Sequence, residues 1–487
     1  MNLPFFLLVA ICVLGVFSVL VIFVAILLVR AFNFKPPITK KPVISEAVID
    51  SDKVTDSLAQ MVRCKTVSSD NPALVDETEF TRFHQVIETL FPTVHQVCPP
   101  EHVGASGLLF SLKGENSASP VVLMSHYDVV PADEEAWEKP AFAGIIEDGV
   151  LWGRGTLDTK ITLNGVLSAA EMLLAQGFVP KNDMYFAFSG DEEIAGPSAP
   201  EMVELLQQRG VSPGLVIDEG GAVVEDIFPG VKQPCAVIGI AEKGMLDVEL
   251  SIESQGGHAS APPPHTLVGQ LSQAVVRIEN RPFPNKLTKP VAEMFDTLGR
   301  YSTFAYRLLF ANLWCFMPVL DLICRKTGGE LNAMMRTTCA FTMMEGGKAT
   351  NVLPPSAKMR ANLRLIGGET PESAVEYLKS VAKNPDIKFN ILYGMNPSID
   401  SRTDGSYWEI LKGVIAETWP KTLVSPYLMV AASDSRHYCR ISDGVYRFSA
   451  VAVSKSERNT IHGHNERVPV EKIVKNVQFY LRLMRQC

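Results

Sequence analysis

Ser189-Gly190-Asp191-Glu192-Glu193 is the stretch on which the reading of this chain turns. It follows an apolar run at residues 184–188 with the length and composition of a short buried strand. A strand end that opens into a polar loop is where open α/β proteins place their chemistry. Two glutamates after an aspartate also suit a plain solvated turn, but the surroundings argue against that. His126, Asp128 and Asp158 lie upstream, and Asp218 and His462 lie downstream, each beside an apolar run or in a glycine-rich turn. Imidazoles and carboxylates grouped around a glutamate pair form the ligand inventory of a two-metal hydrolase.

Working outward, residues 108–112 and 121–124 read as buried strands, and the second leads directly into Ser125-His126-Tyr127-Asp128. On an extended backbone His126 and Asp128 face the same way. That spacing suits a histidine ligand ordered by a nearby carboxylate, and the plainer alternative is a histidine satisfied within a loop. Gly149, Gly153 and Gly155 permit a tight turn before a helix at 160–176, which Gly177 ends. Asp158 stands just ahead of that helix, either as its N-cap or as a carboxylate whose two oxygens bridge two metals. A helix at 199–207 and a strand at 215–217 follow, the strand ending in Asp218-Glu219-Gly220-Gly221. Strands alternating with helices, with ligands at successive strand ends, describe a mostly parallel sheet with the site along one edge.

The chain has 487 residues, which favours two domains. Its net charge of -8 argues against a nucleic-acid partner. None of the nine cysteines forms a C-x-x-C pair, so a cysteine-based zinc site is not expected. No charged residue occurs from 3 to 29, a run long enough to cross a bilayer. It exceeds the apolar core of a signal peptide and no small-x-small site follows it, so an uncleaved single-pass anchor is expected. Secretion after signal-peptide cleavage is the alternative. Arg30, Lys35, Lys40 and Lys41 follow the span. The positive-inside rule therefore puts the bulk of the chain on the cytoplasmic side, although large domains translocate against such a bias and the side stays open. Residues 34–43, with Pro36, Pro37 and Pro42, read as a stiff linker.

Residues 246–252 alternate apolar and polar, a half-buried strand that marks a new domain. A helix at 266–280, a helix opened by Thr370-Pro371, a strand at 388–392 and a final helix at 470–485 complete the pattern. The segment 282–339 is an insert. Its apolar part, 304–324, is broken by Arg307, Asn312, Pro318 and Asp321, which argues against a second membrane span. Three readings stay open: a buried helix pair of the second domain, a greasy wall for an acyl chain, or a face resting on the bilayer.

The motifs S-H-Y-D-V-V-P, G-R-G-T-L-D-T-K, S-G-D-E-E, D-E-G-G, G-G-H-A-S-A-P-P and I-H-G-H-N-E occur in this order from about residue 123 to the end. Together they resemble the zinc-dependent metallopeptidases and aminoacylases of the glutamate carboxypeptidase type. Within that group the chain is most similar to the Gly-X carboxypeptidases and the N-fatty-acyl amino acid hydrolase/synthases. The resemblance implies an α/β fold: a catalytic domain with a mostly parallel sheet and helices on both faces, plus an inserted α+β lid of the dimerisation type. The expected divisions are a transmembrane anchor at 3–29, a linker at 30–44, catalytic parts at 45–241 and 396–487, and a lid at 242–395 carrying the insert. It implies two zinc ions per subunit, with His126 and Asp218 on one, Glu193 and His462 on the other, and Asp158 bridging. Ligands of this kind also accept cobalt and manganese. Glu192 would be general base and acid, and Asp128 would orient His126. The peptide bond after Asp158 would be cis. His258 would stabilise the oxyanion, reaching across a homodimer in dimeric relatives, and Asn351 and Arg364 would bind substrate. A guanidinium fork clamps a free carboxylate well. Ser433-Asp434-Ser435-Arg436 departs from the Gly-Gly-Thr-Asp form of the resembling proteins, so Arg436 receives no role, and His464 falls at a variable position. The implied function is membrane-anchored hydrolysis, and reversibly synthesis, of the amide of N-acyl amino acids, with long-chain acyl groups favoured. The alternatives are a carboxypeptidase acting on short peptides and an inactive membrane-tethered binding protein. The complete ligand set argues against the last.

Overall fold

The computed structural model describes residues 3–37, 44–45, 47–225 and 228–487. Its centre is an eight-stranded sheet. Asn116–His126 lies between Asn182–Ser189 and Leu215–Val224 and is parallel to both. Val445–Ala452 continues the parallel order beyond Leu215–Val224, and Leu423–Met429 runs parallel to Cys235–Glu242 at the far edge. The opposite edge, Gly107–Leu112 and Glu101–Val103, is antiparallel.

The solid apolar run at 121–124 explains why this sheet is covered twice. Val121 and Leu123 enter a core shared with the helices Lys160–Leu174, Ser406–Thr418 and Val470–Gln486. Val122 and Met124 enter a different core, shared with Ser198–Gln208. A strand buried on both faces has no polar alternation to display. Most expected elements form with shifted ends. A helix spans Ser51–Val62, where the Asp50 side chain accepts from Lys53 N–H and so caps it. Gly177 follows the Lys160–Leu174 helix with a φ of +74°, a conformation open to glycine at little cost. The strand expected at 215–217 continues to Val224 and therefore carries Asp218 and Glu219 within it.

A second, antiparallel sheet has the order Thr338–Glu345, Ser356–Leu365, Gly244–Glu253, Lys388–Met395. Leu267–Asn280 and Pro371–Ala382 pack on it around a separate apolar core, and the Thr370 hydroxyl caps the second helix. The insert forms four helices, Lys289–Tyr301, Phe304–Phe310, Leu313–Thr327 and Gly329–Met335. They do not join the core of the second sheet, where the first of the three open readings would put them. Val291, Met294, Phe295, Leu298, Phe310, Leu320 and Met335 pack instead with Val237, Tyr427, Leu428 and Val451 of the central sheet. The amphipathic face of Lys289–Tyr301 drives this, since its buried residues recur at helical spacing. The N-terminal helix, Leu3–Asn33, holds within Leu7–Asn33 an 18-residue window with a mean hydropathy of 3.2, of which 6% is buried. Most of the linker expected at 34–43 falls on 38–43, outside the described residues.

One polar node ties the central strands to the loop after Met429. Glu242 is fully buried and accepts hydrogen bonds from Arg447 Nε at 2.6 Å, Arg436 at 3.3 Å, and Ser433 N–H at 3.2 Å. Removing one member of a buried ion pair strands the other charge. Glu242→Ala is accordingly expected to destabilise the fold by about 3–5 kcal/mol, read as a lowered denaturation midpoint. A midpoint unchanged from the wild type would show that the node carries no such weight.

Candidate metal centre

The Asn116–His126 strand is the switch point of the sheet. Its successor in the chain pairs on one side, and the next strand, Leu215–Val224, pairs on the other. A crevice opens beyond the carboxyl ends of such strands. His126, the last residue of its strand, points into it and is 2% exposed. Its Nδ1 lies 3.0 Å from the Asp128 carbonyl oxygen and 3.3 Å from Asp128 Oδ1. A carbonyl oxygen only accepts, so Nδ1 donates there and Nε2 is left to face the crevice. Nε2 lies 3.1 Å from Asp158 Oδ1 and 3.3 Å from Glu219 Oε1.

Asp128 is fully buried and orders more than the imidazole. It accepts from Ser68 Oγ at 2.7 Å and from the backbone N–H groups of Glu192 and Glu193 at 3.2 and 3.1 Å. The Glu192–Glu193 turn is thereby fixed by the same carboxylate that fixes His126. His462 arrives from the other end of the chain. Arg467–Pro469 pairs with Val150–Trp152 and draws its loop in. His462 Nε2 lies 3.0 Å from Asp158 Oδ2 and 3.1 Å from Glu193 Oε2. The two oxygens of Asp158 therefore face two different histidines. The Asp158–Thr159 peptide bond is cis, as the resemblance implied.

The Asp158 loop has a support that the sequence reading passed over. Glu466 is fully buried, pairs with Arg154 at 2.7 Å, and accepts the N–H groups of Gly155, Leu157 and Asp158 at 3.1, 2.7 and 3.2 Å. It closes the I-H-G-H-N-E motif, so its position beside His462 was the available signal.

Asp218 and Glu219 take different places. Asp218 Oδ2 accepts the Ser435 N–H at 3.0 Å, whereas Glu219 stands beside His126. Successive residues of a strand point to opposite faces, so only one of the pair can face the imidazole. A strand read as ending at 217 gave no reason to choose Glu219. His258 and Asn351 sit together on a small ribbon, with His258 opposite Val352 and Ala259 N–H donating to Asn351 O at 3.1 Å. Arg364 lies in the second sheet opposite Met245, and burial lowers its pKa. Among the described residues, no hydrogen bond or ion pair joins these three side chains to the His126 cluster. Arg436 pairs with Glu242 and donates to Asn396 O at 2.6 Å.

The charges here are unbalanced. Burial, helped by neighbouring carboxylates, raises the pKa of Glu192 and Glu219 well above the ordinary glutamate value. Burial and Asp218 push Asp434 up to about 8, against the hydrogen bond from Ser189. Burial alone would depress His126, but Glu219, Asp128 and Asp158 outweigh it and hold its pKa high. Hydrogen bonds to Asp158 and Glu193 hold His462 up to about 10. Among the described residues, no lysine or arginine pairs with Asp158, Glu192, Glu193, Asp218 or Glu219. Anions largely withdrawn from water and without cationic side chains call for metal ions. The donor set fits, since atoms of His126, Asp158 and Glu193, and of His126, Glu192 and Glu219, lie within 4.8 Å of one another.

Residues 122–486 match Peptidase family M20/M25/M40. The N-fatty-acyl-amino acid synthase/hydrolase PM20D1 of Xenopus tropicalis is 34% identical over 477 residues, covering 96% of this chain and 93% of that protein. The probable carboxypeptidase S-like 2 of Dictyostelium discoideum is 32% identical over 468 residues, covering 93% and 89%. Among solved structures, the M20 family metallo-carboxypeptidase Sso-CP2 of Sulfolobus solfataricus superposes with a TM-score of 0.64 at 16% identity, covering 90% of this chain and 99% of that one. That last likeness is one of fold.

The contrast between Asp218 and Glu219 is directly measurable. Glu219→Ala is expected to weaken zinc affinity by about 10–100-fold or more, and Asp218→Ala to weaken it less, when zinc binding is titrated on purified protein. The reverse order would return the ligand role to Asp218.

Proposed function

The chain belongs to peptidase family M20/M25/M40, and from that premise we propose that it is a membrane-anchored, two-zinc amidohydrolase of N-acyl amino acids. Long-chain acyl groups are its preferred substrates, and the same site can run the reaction towards amide synthesis. The observation that carries this reading is Asp158, whose oxygens lie 3.1 and 3.0 Å from two histidines supplied by distant parts of the chain. In the proposal His126 and Glu219 hold one ion, His462 and Glu193 hold the other, and Asp158 spans both. Bound zinc supplies Lewis acidity, polarising the scissile carbonyl and making water nucleophilic near neutral pH.

The remaining steps fall to side chains. Glu192 takes a proton from the attacking water and delivers it to the departing amine nitrogen. Its backbone is pinned to Asp128, so the carboxylate keeps its place while its proton comes and goes. Asp128 holds the His126 tautomer. Arg364 clamps the free carboxylate of the amino acid, Asn351 aids it, and His258 stabilises the oxyanion, in a homodimer by reaching the neighbouring copy's site. The N-terminal helix anchors the enzyme in a membrane, the alternative being its removal as a signal sequence.

Two features favour an acyl substrate. One is the name and the near-full coverage of the Xenopus relative. The other is a cavity of about 510 Å³ lined by Phe228, Val231, Tyr306, Leu331 and Met334, a size in the range of ligand pockets. Glu330, also on its wall, lies 3.8 Å from Arg458, the last residue of the short helix Lys455–Arg458 that precedes His462 in the chain. The second reading, a metallo-carboxypeptidase, is favoured by the name of the Dictyostelium relative.

Glu192→Gln is expected to lower turnover by about 10²–10⁴-fold while zinc content stays at the wild-type level. Retention of most activity would remove Glu192 from its role. For the substrate, amine release from an N-long-chain-acyl amino acid and from a blocked dipeptide is compared with and without a chelator. Chelator-sensitive cleavage of the acyl substrate is the expected result, and preference for the dipeptide would select the carboxypeptidase reading. Leu331→Trp, which fills the cavity, is expected to reduce kcat/KM for long acyl chains more than for short ones.

A further inference from the structure

We propose that the helices Phe304–Phe310 and Leu313–Thr327 form a shelf embedded in one leaflet of the bilayer beside the N-terminal helix, delivering acyl substrate from lipid. This rests on the reading of that helix as a membrane anchor. The shelf is bolted to the anchor. The Arg30 guanidinium donates twice to Ala311 O, at 3.1 and 3.0 Å, and Asn312 Nδ2 donates to Leu27 O at 3.1 Å. The Phe32 and Phe304 rings lie 5.0 Å apart, and those of Phe23 and Trp314 lie 5.9 Å apart.

These contacts fix a depth. Arg30 is the first charge after the apolar run and marks the headgroup level. Phe23 lies seven residues earlier in the same helix, about 10 Å deeper at 1.5 Å per residue. Trp314 packs at that level. Half the hydrocarbon thickness is about 15 Å, so the start of the second shelf helix lies within the acyl region of one leaflet.

The exposed surface agrees. Trp314, Val319, Leu322 and Ile323 are 59, 50, 55 and 47% exposed, while Leu320 and Cys324 of the same helix are buried against the protein. The exposed arc ends at Arg325 and Lys326, cations on long stems able to reach headgroups. Contiguous apolar surface of this kind is uncommon on proteins that face water alone. The pair does not itself cross the membrane, because its helices have 7 and 15 residues and meet at 106°. Tyr306, on the first shelf helix, also lines the cavity described above, so the shelf and the cavity share a wall. A long-chain acyl group dissolved in the leaflet would enter there.

The test uses the full chain in phosphatidylcholine vesicles with and without lipids brominated along their acyl chains. Tryptophan emission is compared for the wild type and Trp314→Phe. The expected result is strong quenching in the wild type, a substantial part of which is lost in the variant. Equal quenching in both, or Trp314 shielded by a second copy in a dimer, would overturn the shelf. Carbonate extraction of the same vesicles judges the anchor separately. Protein that resists extraction with Trp314 unquenched overturns the shelf alone, and extracted protein overturns the anchor reading, whatever the quenching shows. As a functional readout, Leu322→Glu with Ile323→Glu is expected to slow hydrolysis of a vesicle-borne long-chain substrate roughly tenfold, leaving a water-soluble short-chain substrate unaffected. Unchanged rates on both substrates would overturn the proposal.

Discussion

Crowding of half-buried carboxylates is the constraint around which this molecule is arranged. Asp158, Glu192, Glu193 and Glu219 converge with two histidines at the end of a parallel sheet, and no lysine or arginine among the described residues pairs with them. Anions in that environment are costly unless cations meet them or protons neutralise them. The raised pKa values of Glu192 and Glu219 register that cost in the protein by itself. Holding such groups together needs a rigid frame. Asp128 and Glu466 supply it by accepting backbone N–H groups from the two loops that carry Glu192, Glu193 and Asp158.

The same constraint explains why the site is assembled from both ends of the chain. His126 and the Glu192–Glu193 turn follow neighbouring parallel strands, a placement that the switch point provides. His462 comes from a loop returned by the pairing of Arg467–Pro469 with Val150–Trp152. The strand that brings His462 to Asp158 also sets Glu466 under the Asp158 loop, so one connection builds both the ligand and its support.

Much of this was legible in the sequence because strong local signals coincided. The run at 121–124 was solidly apolar, which marks a strand buried on both faces, and the histidine and carboxylates stood directly after such runs. The glycine after the 160–174 helix and the cap at Thr370 were equally plain. What escaped depended on information that does not reside locally. Whether Asp218 or Glu219 faces His126 turns on where a strand ends, and a polar Asp-Glu-Gly-Gly tail hides a strand that continues because its neighbours pair with it. Nothing local marks Glu466 as a buried support, since its four donors come from Arg154 and the loop at 155–158, about 310 residues away in the chain. The insert read as part of the second domain from its position in the chain, yet its apolar faces match the central sheet and the N-terminal helix.

The central claim is that Asp158 joins two metal ions, one held by His126 and Glu219 and the other by His462 and Glu193. Anomalous diffraction at the zinc edge from crystals of the purified full chain tests it most directly. The account predicts two peaks about 3.5–4 Å apart, flanking the Asp158 carboxylate, with Glu219 on the peak nearest His126. A single peak, or a peak coordinated by Asp218 with Glu219 turned away, would contradict it.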